Sequence, residues 1–358
     1  MVQPSYFSNT ANTQNKKAFV IAGPCSAETE EQLRESITQI KQYAPQVNLL
    51  RAGIWKPRTR PNSFEGVGKK ALSWLVDAGK AVNLPVSIEV AKAQHVEDAL
   101  HAGVDVLWIG ARSTVSPFIV QDIADALKGV HVPIMIKNPI NPDLSLWMGA
   151  IERIEQAGVK DIAAIHRGFS SYNKTMYRNV PHWEIPIELK RQRPELPIIC
   201  DPSHIGGQRN LIAPLSQQAM NLHFDGLMIE THYDPAKAWS DAAQQITPEK
   251  LGEILIRLQV EQKEANQADE YPQLDTYRTA IDRLDNYILE LLAERMNISQ
   301  AIGDFKRLEN IAIHQPKRWA ATVKRALAFG KNNGLSETFI LELFQKIHNE
   351  SIERQSKS

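Results

Sequence analysis

Eight times in the first two-thirds of this chain a short apolar run breaks into ionisable side chains, and that recurrence restricts the fold more than any single motif. The runs are Ala18 to Ala22, Val47 to Arg51, Pro85 to Glu89, Val104 to Ile109, Val132 to Ile136, Asp161 to Ile165, Leu196 to Cys200 and Gly226 to Glu230. Their composition predicts strands buried on both faces. Between them lie amphipathic segments of helical length, Glu30 to Tyr43, Ala93 to His101, Pro117 to Leu127 and Leu146 to Gln156, several ending near Gly as helices do. Eight strands alternating with helices over roughly 240 residues predict an α/β fold, a (β/α)8 barrel. A doubly wound open sheet is the competing reading.

The residues just beyond each strand bear on that choice. The first strand runs into Gly23-Pro24-Cys25-Ser26, the second contains Arg51 and leads to Lys56-Pro57-Arg58-Thr59, and the third ends at Glu89. The fourth meets Gly110-Ala111-Arg112, the fifth Lys137, and the sixth His166-Arg167-Gly168. The seventh delivers Asp201-Pro202-Ser203-His204, and the eighth Glu230, with Asp241 beyond. A closed barrel gathers these groups at one mouth; an open sheet scatters them.

Two kinds of group make up the set. Cys25, His204, Glu230 and Asp241 combine a soft thiolate, an imidazole and two carboxylates, a donor set for a divalent metal such as Mn²⁺, Zn²⁺ or Fe²⁺. Taken singly, a cysteine after a strand is usually a small core residue, the reading kept for Cys200 inside its apolar run. Arg51, Lys56, Arg58, Arg112, Lys137 and Arg167 form the second kind. So many positive charges around one cavity repel one another unless an anionic ligand neutralises them, so the substrates carry several negative charges.

Composition narrows the partners. The 358 residues carry no formal net charge, which points away from nucleic acid and anionic lipid. The start is polar, and no run of about 18 apolar residues exists, so the chain reads as cytoplasmic, without a membrane span. Two cysteines do not make a disulfide framework.

Gly-Pro-Cys-Ser, Lys-Pro-Arg-Thr, Gly-Ala-Arg, Asp-Pro-Ser-His and the final Glu and Asp, in this order, resemble the 3-deoxy-D-arabino-heptulosonate 7-phosphate (DAHP) synthases of the type I beta kind. The resemblance implies a metal-dependent TIM barrel joining phosphoenolpyruvate to erythrose 4-phosphate at the start of the shikimate pathway. It places Cys25, His204, Glu230 and Asp241 on the metal, with Mn²⁺ foremost and Zn²⁺, Fe²⁺ or Co²⁺ as alternatives. Gly110, Ala111, Arg112, Lys137 and Arg167 fall on the phosphoenolpyruvate phosphate, with Arg51, Lys56 and Glu89 on the same substrate's side of the mouth. Pro57, Arg58 and Thr59 fall on erythrose 4-phosphate, and Lys56, Lys137 and His204 are the residues assigned to catalysis. Arg60 stands where the family usually has Ser, and Asn138 where Arg commonly follows the fifth-strand Lys. A related family that makes 3-deoxy-D-manno-octulosonate 8-phosphate is similar to a lesser degree, since it carries Lys-Ala-Asn in the second loop.

Residues 1–17 form a polar tail too short to be a regulatory domain, 18–260 the barrel, 261–271 a polar linker and 272–358 an all-helical unit. After Pro272, Leu274, Tyr277, Ile281, Leu284, Ile288, Leu291, Ile298, Ile302 and Phe305 follow a helical period. Pro316 is placed to open a second helix, and Ser336 to cap a third. A unit of about 90 residues with such a stripe pairs with a second copy. At about 100° per residue, Arg295 and Lys306 share a face while Arg278 points elsewhere; Ser351 and Gln355 share a face of the last helix.

Leu274-Asp275 with Arg278, Ile281-Asp282, Leu291-Leu292-Ala293-Glu294-Arg295, Lys306, Arg318, Ser351 and Gln355 resemble the all-helical chorismate mutases. That resemblance implies an intertwined homodimer in which Arg278 reaches the partner's site while Arg295 and Lys306, catalytic with it, serve their own. These cations would clamp the carboxylates and ether oxygen of chorismate during its rearrangement to prephenate. Trp319 stands where better-known members carry a Glu that contacts the substrate hydroxyl. The chain therefore reads as a bifunctional enzyme whose second domain turns over chorismate and feeds back on the barrel, with prephenate as effector. The alternative is a chorismate or prephenate sensor and dimerisation module with little turnover.

Overall fold

The chain divides into two compact units, Met1–Gln262 and Lys263–Ser358. The structure, a computed structural model, describes residues 6–7, 17–57, 64–172, 175–259 and 272–357. Arg58, Thr59 and Arg60, the linker 261–271 and most of the tail lie outside the described residues. Among the described residues no helix is long and apolar enough to cross a membrane.

Strands β1 (Phe19–Gly23), β2 (Leu49–Arg51), β3 (Val86–Val90), β4 (Val106–Ile109), β5 (Ile134–Lys137), β6 (Ile162–His166), β7 (Ile198–Cys200) and β8 (Gly226–Glu230) pair in parallel in chain order. β1 also pairs with β8, Phe19 opposite Gly226 through Gly23 opposite Glu230, and the sheet closes. The open-sheet reading is thereby excluded. Each strand overlaps its predicted run.

Helices α1 (Glu30–Tyr43), α2 (Lys70–Val82), α3 (Ala93–Ala102), α4 (Ala111–Thr114), α5 (Pro117–Ala126), α6 (Leu144–Gln156), α7 (Glu184–Gln192), α8 (Pro202–Gly206), α9 (Ile212–Asn221) and α10 (Pro248–Arg257) alternate with the strands. Local caps start several of them: Thr29, Ser116, Asp143 and Thr247 each accept a first-turn N–H of α1, α5, α6 and α10.

Strand alternation sorts every strand residue. One set, including Ile21, Leu49, Trp108, Met135, Ile165, Ile199 and Met228, packs together inside the barrel. Its alternates, including Ala22, Leu50, Leu107, Ile136, Ala164, Cys200 and Ile229, pack with the helices. Cys200 therefore belongs to the outer core. His166, on the same parity, lies outside the barrel among Phe169, Trp183 and Phe224, and burial pushes its pKa down to about 3.

The tail contributes to the core. Phe7 is fully buried in the inner cluster, with its ring 5.8 Å from that of Phe19, and Tyr6 packs on both. The Tyr6 N–H donates to Asp161 Oδ1 at 3.1 Å. Phe19 opens β1 and Asp161 precedes β6, so Phe7 plugs the N-terminal end of the barrel, opposite the mouth.

The second unit has three helices among its described residues, α11 (Pro272–Leu308), α12 (Pro316–Asn332) and α13 (Glu337–Lys357). Pro316 opens α12, and Ser336 Oγ accepts the Phe339 N–H ahead of α13, both as the sequence predicts. Gly303 lets α11 and α13 approach, because a Cβ there would lie 2.7 Å from Gln355 Cα.

Truncating a fully buried Phe costs about 3–5 kcal/mol where the cavity cannot collapse. Phe7→Ala in the full chain is therefore expected to shift the barrel's urea unfolding transition by an amount in that range. A shift under about 1 kcal/mol would show that the tail does not stabilise the barrel.

Candidate active site

Interior parity places the last inward residue of each strand at the mouth. Arg51 ends β2 and Lys137 ends β5, and each is almost wholly buried. Both sit over the Trp108 ring, at 5.0 and 5.9 Å, so an inward tryptophan forms the floor under two cations. Glu89, from β3, accepts from Trp108 Nε1 at 3.2 Å. Its carboxylate lies so close to Gly110 that a Cβ there would sit 2.0 Å from Glu89 Oε1. Gly110 and Ala111 lead into α4, which carries Arg112 at the exposed rim.

Asp201 organises the opposite side. It caps α8 by accepting the His204 N–H at 3.1 Å, which places His204 one turn above β7. Its Oδ2 also accepts from Lys137 Nζ at 2.8 Å and lies 2.8 Å from His204 Nδ1. Burial pushes the Asp201 carboxyl up, but His204 and Lys137 outweigh it and hold the group well below the usual 3.8. With Asp201 against Nδ1, the other ring nitrogen, Nε2, is turned to Glu230 Oε1 at 3.7 Å.

The four expected metal donors all reach this mouth, as two pairs. Cys25 Sγ lies 3.2 Å from Asp241 Oδ2, and Glu230 faces His204. Burial and the nearby Glu230 push the Cys25 thiol up to about 12. Among the described residues no three His, Cys, Asp or Glu side chains are gathered closely enough to hold a metal ion as they stand. Cations take that place: Lys56 Nζ is 2.7 Å from Cys25 Sγ and Arg51 Nη1 3.2 Å from Glu230 Oε1. Against burial, His204 and Arg51 hold the Glu230 carboxyl down and Arg178 holds the Asp241 carboxyl down, with Lys56 adding to both. The donor set nonetheless fits a divalent ion. Glu230 Oε1 is buried and accepts no well-directed hydrogen bond from any described residue, and a buried thiol becomes a thiolate only beside a strong positive charge.

Several contributors have no local signature in the sequence. Arg178, from the loop after β6, donates to Asp241 Oδ1 at 2.9 Å and to Gln244 Oε1 at 2.5 Å. Gln244 Nε2 in turn donates to Glu230 Oε2 at 2.7 Å, and Gln245 Oε1 accepts the Cys25 N–H at 2.9 Å. Asn179 Nδ2 donates to the His204 carbonyl, and its Oδ1 accepts from Arg167. Asn138 Oδ1 accepts the Arg167 N–H at 2.7 Å, so the residue that departs from the family pattern braces the β6 loop. Burial, with Arg178 and Arg112 nearby, pushes the Arg167 guanidinium down to about 10 although Asp201 opposes the shift. Pro57 adjoins Lys56 at the edge of the described β2 loop.

In the helical unit, Arg295 Nη1 donates to Ser351 Oγ, and Lys306 Nζ donates to Gln355 Oε1 at 2.9 Å and to the Ile313 carbonyl. The predicted α11 and α13 residues therefore meet. Arg318 is exposed on α12. Arg278, 17 residues before Arg295 on one helix, is about 25 Å from it along the axis.

Fold and mouth together define a (β/α)8-barrel enzyme with a cation-lined active site. The DAHP synthetase I family matches residues 4–267, and chorismate mutase type II matches residues 277–356. A phospho-2-dehydro-3-deoxyheptonate aldolase of Thermotoga maritima is 31% identical over 236 residues, 66% of this chain and 67% of that protein. A crystal structure of the Thermotoga maritima DAHP synthase superposes with a TM-score of 0.60 at 30% identity, covering 67% of this chain and 68% of that one. A 2-dehydro-3-deoxyphosphooctonate aldolase of Legionella pneumophila is 28% identical over 264 residues, 68% of this chain and 91% of that protein. The chain belongs to the DAHP synthetase I family. Its C-terminal unit is of the type II chorismate mutase kind, so one polypeptide joins a DAHP synthase to a chorismate mutase.

Asp201→Asn leaves buried Lys137 opposite a neutral amide and is expected to cost about 3–5 kcal/mol by urea unfolding at pH 7. Because the folded carboxyl titrates well below 3.8, its contribution is complete above that pH and is lost as pH falls towards the folded value. The wild type's advantage should therefore shrink below about pH 4. An equal advantage at pH 7 and pH 3 would sink this account.

Proposed function

We propose that the barrel condenses phosphoenolpyruvate with erythrose 4-phosphate and water to give DAHP and phosphate, with a divalent metal, Mn²⁺ foremost, held by Cys25, His204, Glu230 and Asp241. The observation that carries this reading is the meeting of those four donors with Arg51, Lys56, Lys137 and Arg167 at the carboxyl ends of the strands. The metal would supply Lewis acidity towards the aldehyde oxygen. Arg112, Lys137 and Arg167, with the backbone at Gly110 and Ala111, take the phosphoenolpyruvate phosphate. Arg51 and Lys56, with Glu89 beside them, hold the carboxylate end, and Pro57, Arg58 and Thr59 take the aldose phosphate. C3 of phosphoenolpyruvate then bonds to the aldehyde carbon, water adds at C2, and the C2–O bond breaks to release phosphate. Lys56 Nζ, 2.7 Å from Cys25 Sγ, is the proton-bearing group beside the donors, suited to deliver the proton the new hydroxyl requires. Holding two repelling anions together is the larger part of this work. Relatives act on either a heptonate or an octonate, and Lys56-Pro57 in place of Lys-Ala favours the four-carbon aldose.

The helical unit rearranges chorismate to prephenate by holding its compact conformer, with Arg295 and Lys306 on its anionic oxygens and Ser351 and Gln355 beside them; Arg318 and a partner's Arg278 complete the site. Along α11 the apolar stripe from Tyr277 to Phe305 is open, with Tyr277 and Phe305 each 58% exposed, which a second copy would bury as a homodimer. Carrying an early and a late activity on one chain favours feedback on the barrel by prephenate.

Mn²⁺-dependent phosphoenolpyruvate consumption with erythrose 4-phosphate, not with arabinose 5-phosphate, is the expected outcome, and prephenate should suppress it. Consumption without any metal would remove the metal reading, and consumption indifferent to prephenate would remove the feedback. Because Arg178 and Gln244 tie Asp241 to Glu230, Arg178→Met is expected to weaken Mn²⁺ binding, followed by calorimetry, by about 10- to 100-fold. Unchanged affinity would leave Arg178 a structural residue.

A further inference from the structure

His348 lies on the face of α13 that carries Ser351 and Gln355, three and seven residues further on. Its ring stacks on that of Trp319 from α12, with centroids 4.1 Å apart and planes 15° from parallel. His314, from the loop before α12, has its ring centroid 5.7 Å away and its plane tilted by 58°. Two aromatic neighbours therefore fix the imidazole plane. The Nε2 atom is shielded from solvent and has no hydrogen-bond partner among the described residues. A nitrogen left this way costs about 1–3 kcal/mol unless something occupies it. The other polar groups of the cluster are already engaged, Arg295 with Ser351 and Lys306 with Gln355.

We propose that His348 is a substrate-contacting residue of the mutase site, its Nε2 hydrogen-bonding the ring hydroxyl of chorismate. The proposal rests on the mutase reading of this unit and names one further contact within it. Chemistry selects the hydroxyl. The two cations suit the carboxylates and the ether oxygen, which are acceptors only. A neutral imidazole nitrogen either donates or accepts according to its tautomer, and a hydroxyl answers both. Burial, with His314 and Arg295 nearby, lowers the His348 pKa and favours that neutral form. Trp319 then has a task of its own: an apolar plate that holds the imidazole in place.

The test compares the full-length wild type, His348→Leu, His348→Gln and Arg295→Ala on chorismate and on its analogue lacking the ring hydroxyl. His348→Leu is expected to lose about 10- to 100-fold in kcat/KM on chorismate, the worth of one buried hydrogen bond, and less than about twofold on the analogue. His348→Gln, which restores a donor and acceptor of similar reach, should recover part of the loss. Equal losses on both compounds would show that His348 only packs, and an undiminished kcat/KM on chorismate would show no contact; either result overturns the proposal. Should the wild type neither bind nor turn over chorismate, or Arg295→Ala match it, the mutase reading itself falls and this proposal with it. Unchanged helical circular dichroism and thermal unfolding in the variants confirm a folded helical unit.

Discussion

Closure of β1 onto β8 is the constraint that creates the active site. In a strand the side chain alternates faces, so in a closed barrel every second residue must enter the interior. The seam is tight: a Cβ at Gly226 would lie 2.3 Å from the Phe19 carbonyl oxygen, and on the other side of β1 one at Gly23, whose φ is +148°, would lie 2.0 Å from that of Arg51 on β2. Glycine at both positions lets the strands approach. Once closed, the register sets Gly23 opposite Glu230 and brings Cys25, two residues on, to the same rim as the end of the last strand. Phe7 closes the other end, so the inner core is sealed below and charged above.

That charged end is held together by pairing. Burying an ion without a partner costs several kcal/mol, and three buried or half-buried carboxylates here each face a cation: Asp201 with Lys137, Glu230 with Arg51 and Asp241 with Arg178; Lys56 stands against the Cys25 thiol. Asp201 does more than neutralise. By capping α8 it fixes where His204 stands, and by lying against Nδ1 it turns Nε2 towards the mouth. Such fixed dipoles and charges need little reorganisation when a doubly charged substrate arrives. The helical unit uses the same economy with fewer parts, since a unimolecular rearrangement needs shape and charge but no nucleophile.

Much of this was legible from local pattern. Strand runs, the amphipathic helices, Pro316 at the start of α12, Ser336 ahead of α13 and the shared face of Arg295 and Lys306 all arise from periodicity and capping, which act over a few residues. That ionisable residues follow the strands was legible as well, but which of them face inward was fixed by the register of the closed sheet. Arg178, Asn179, Gln244 and Phe7 were not legible. Arg178 meets Asp241 across 63 positions and Gln244 across 66, and no local rule links residues so far apart.

Side-chain chemistry at short spacing was enough to decide which segments become strands and helices, that charged residues end the strands, and that the last quarter is a separate helical unit. Packing was needed to close the sheet, to face Cys25 to the mouth and Cys200 to the helices, and to stand a lysine rather than a third donor beside the Cys25 sulfur. Packing also set an imidazole on one helix against a tryptophan on another. A buried charge or an unpartnered nitrogen acquires its meaning from whatever the folded chain sets opposite it, and that partner is chosen in space, not along the sequence.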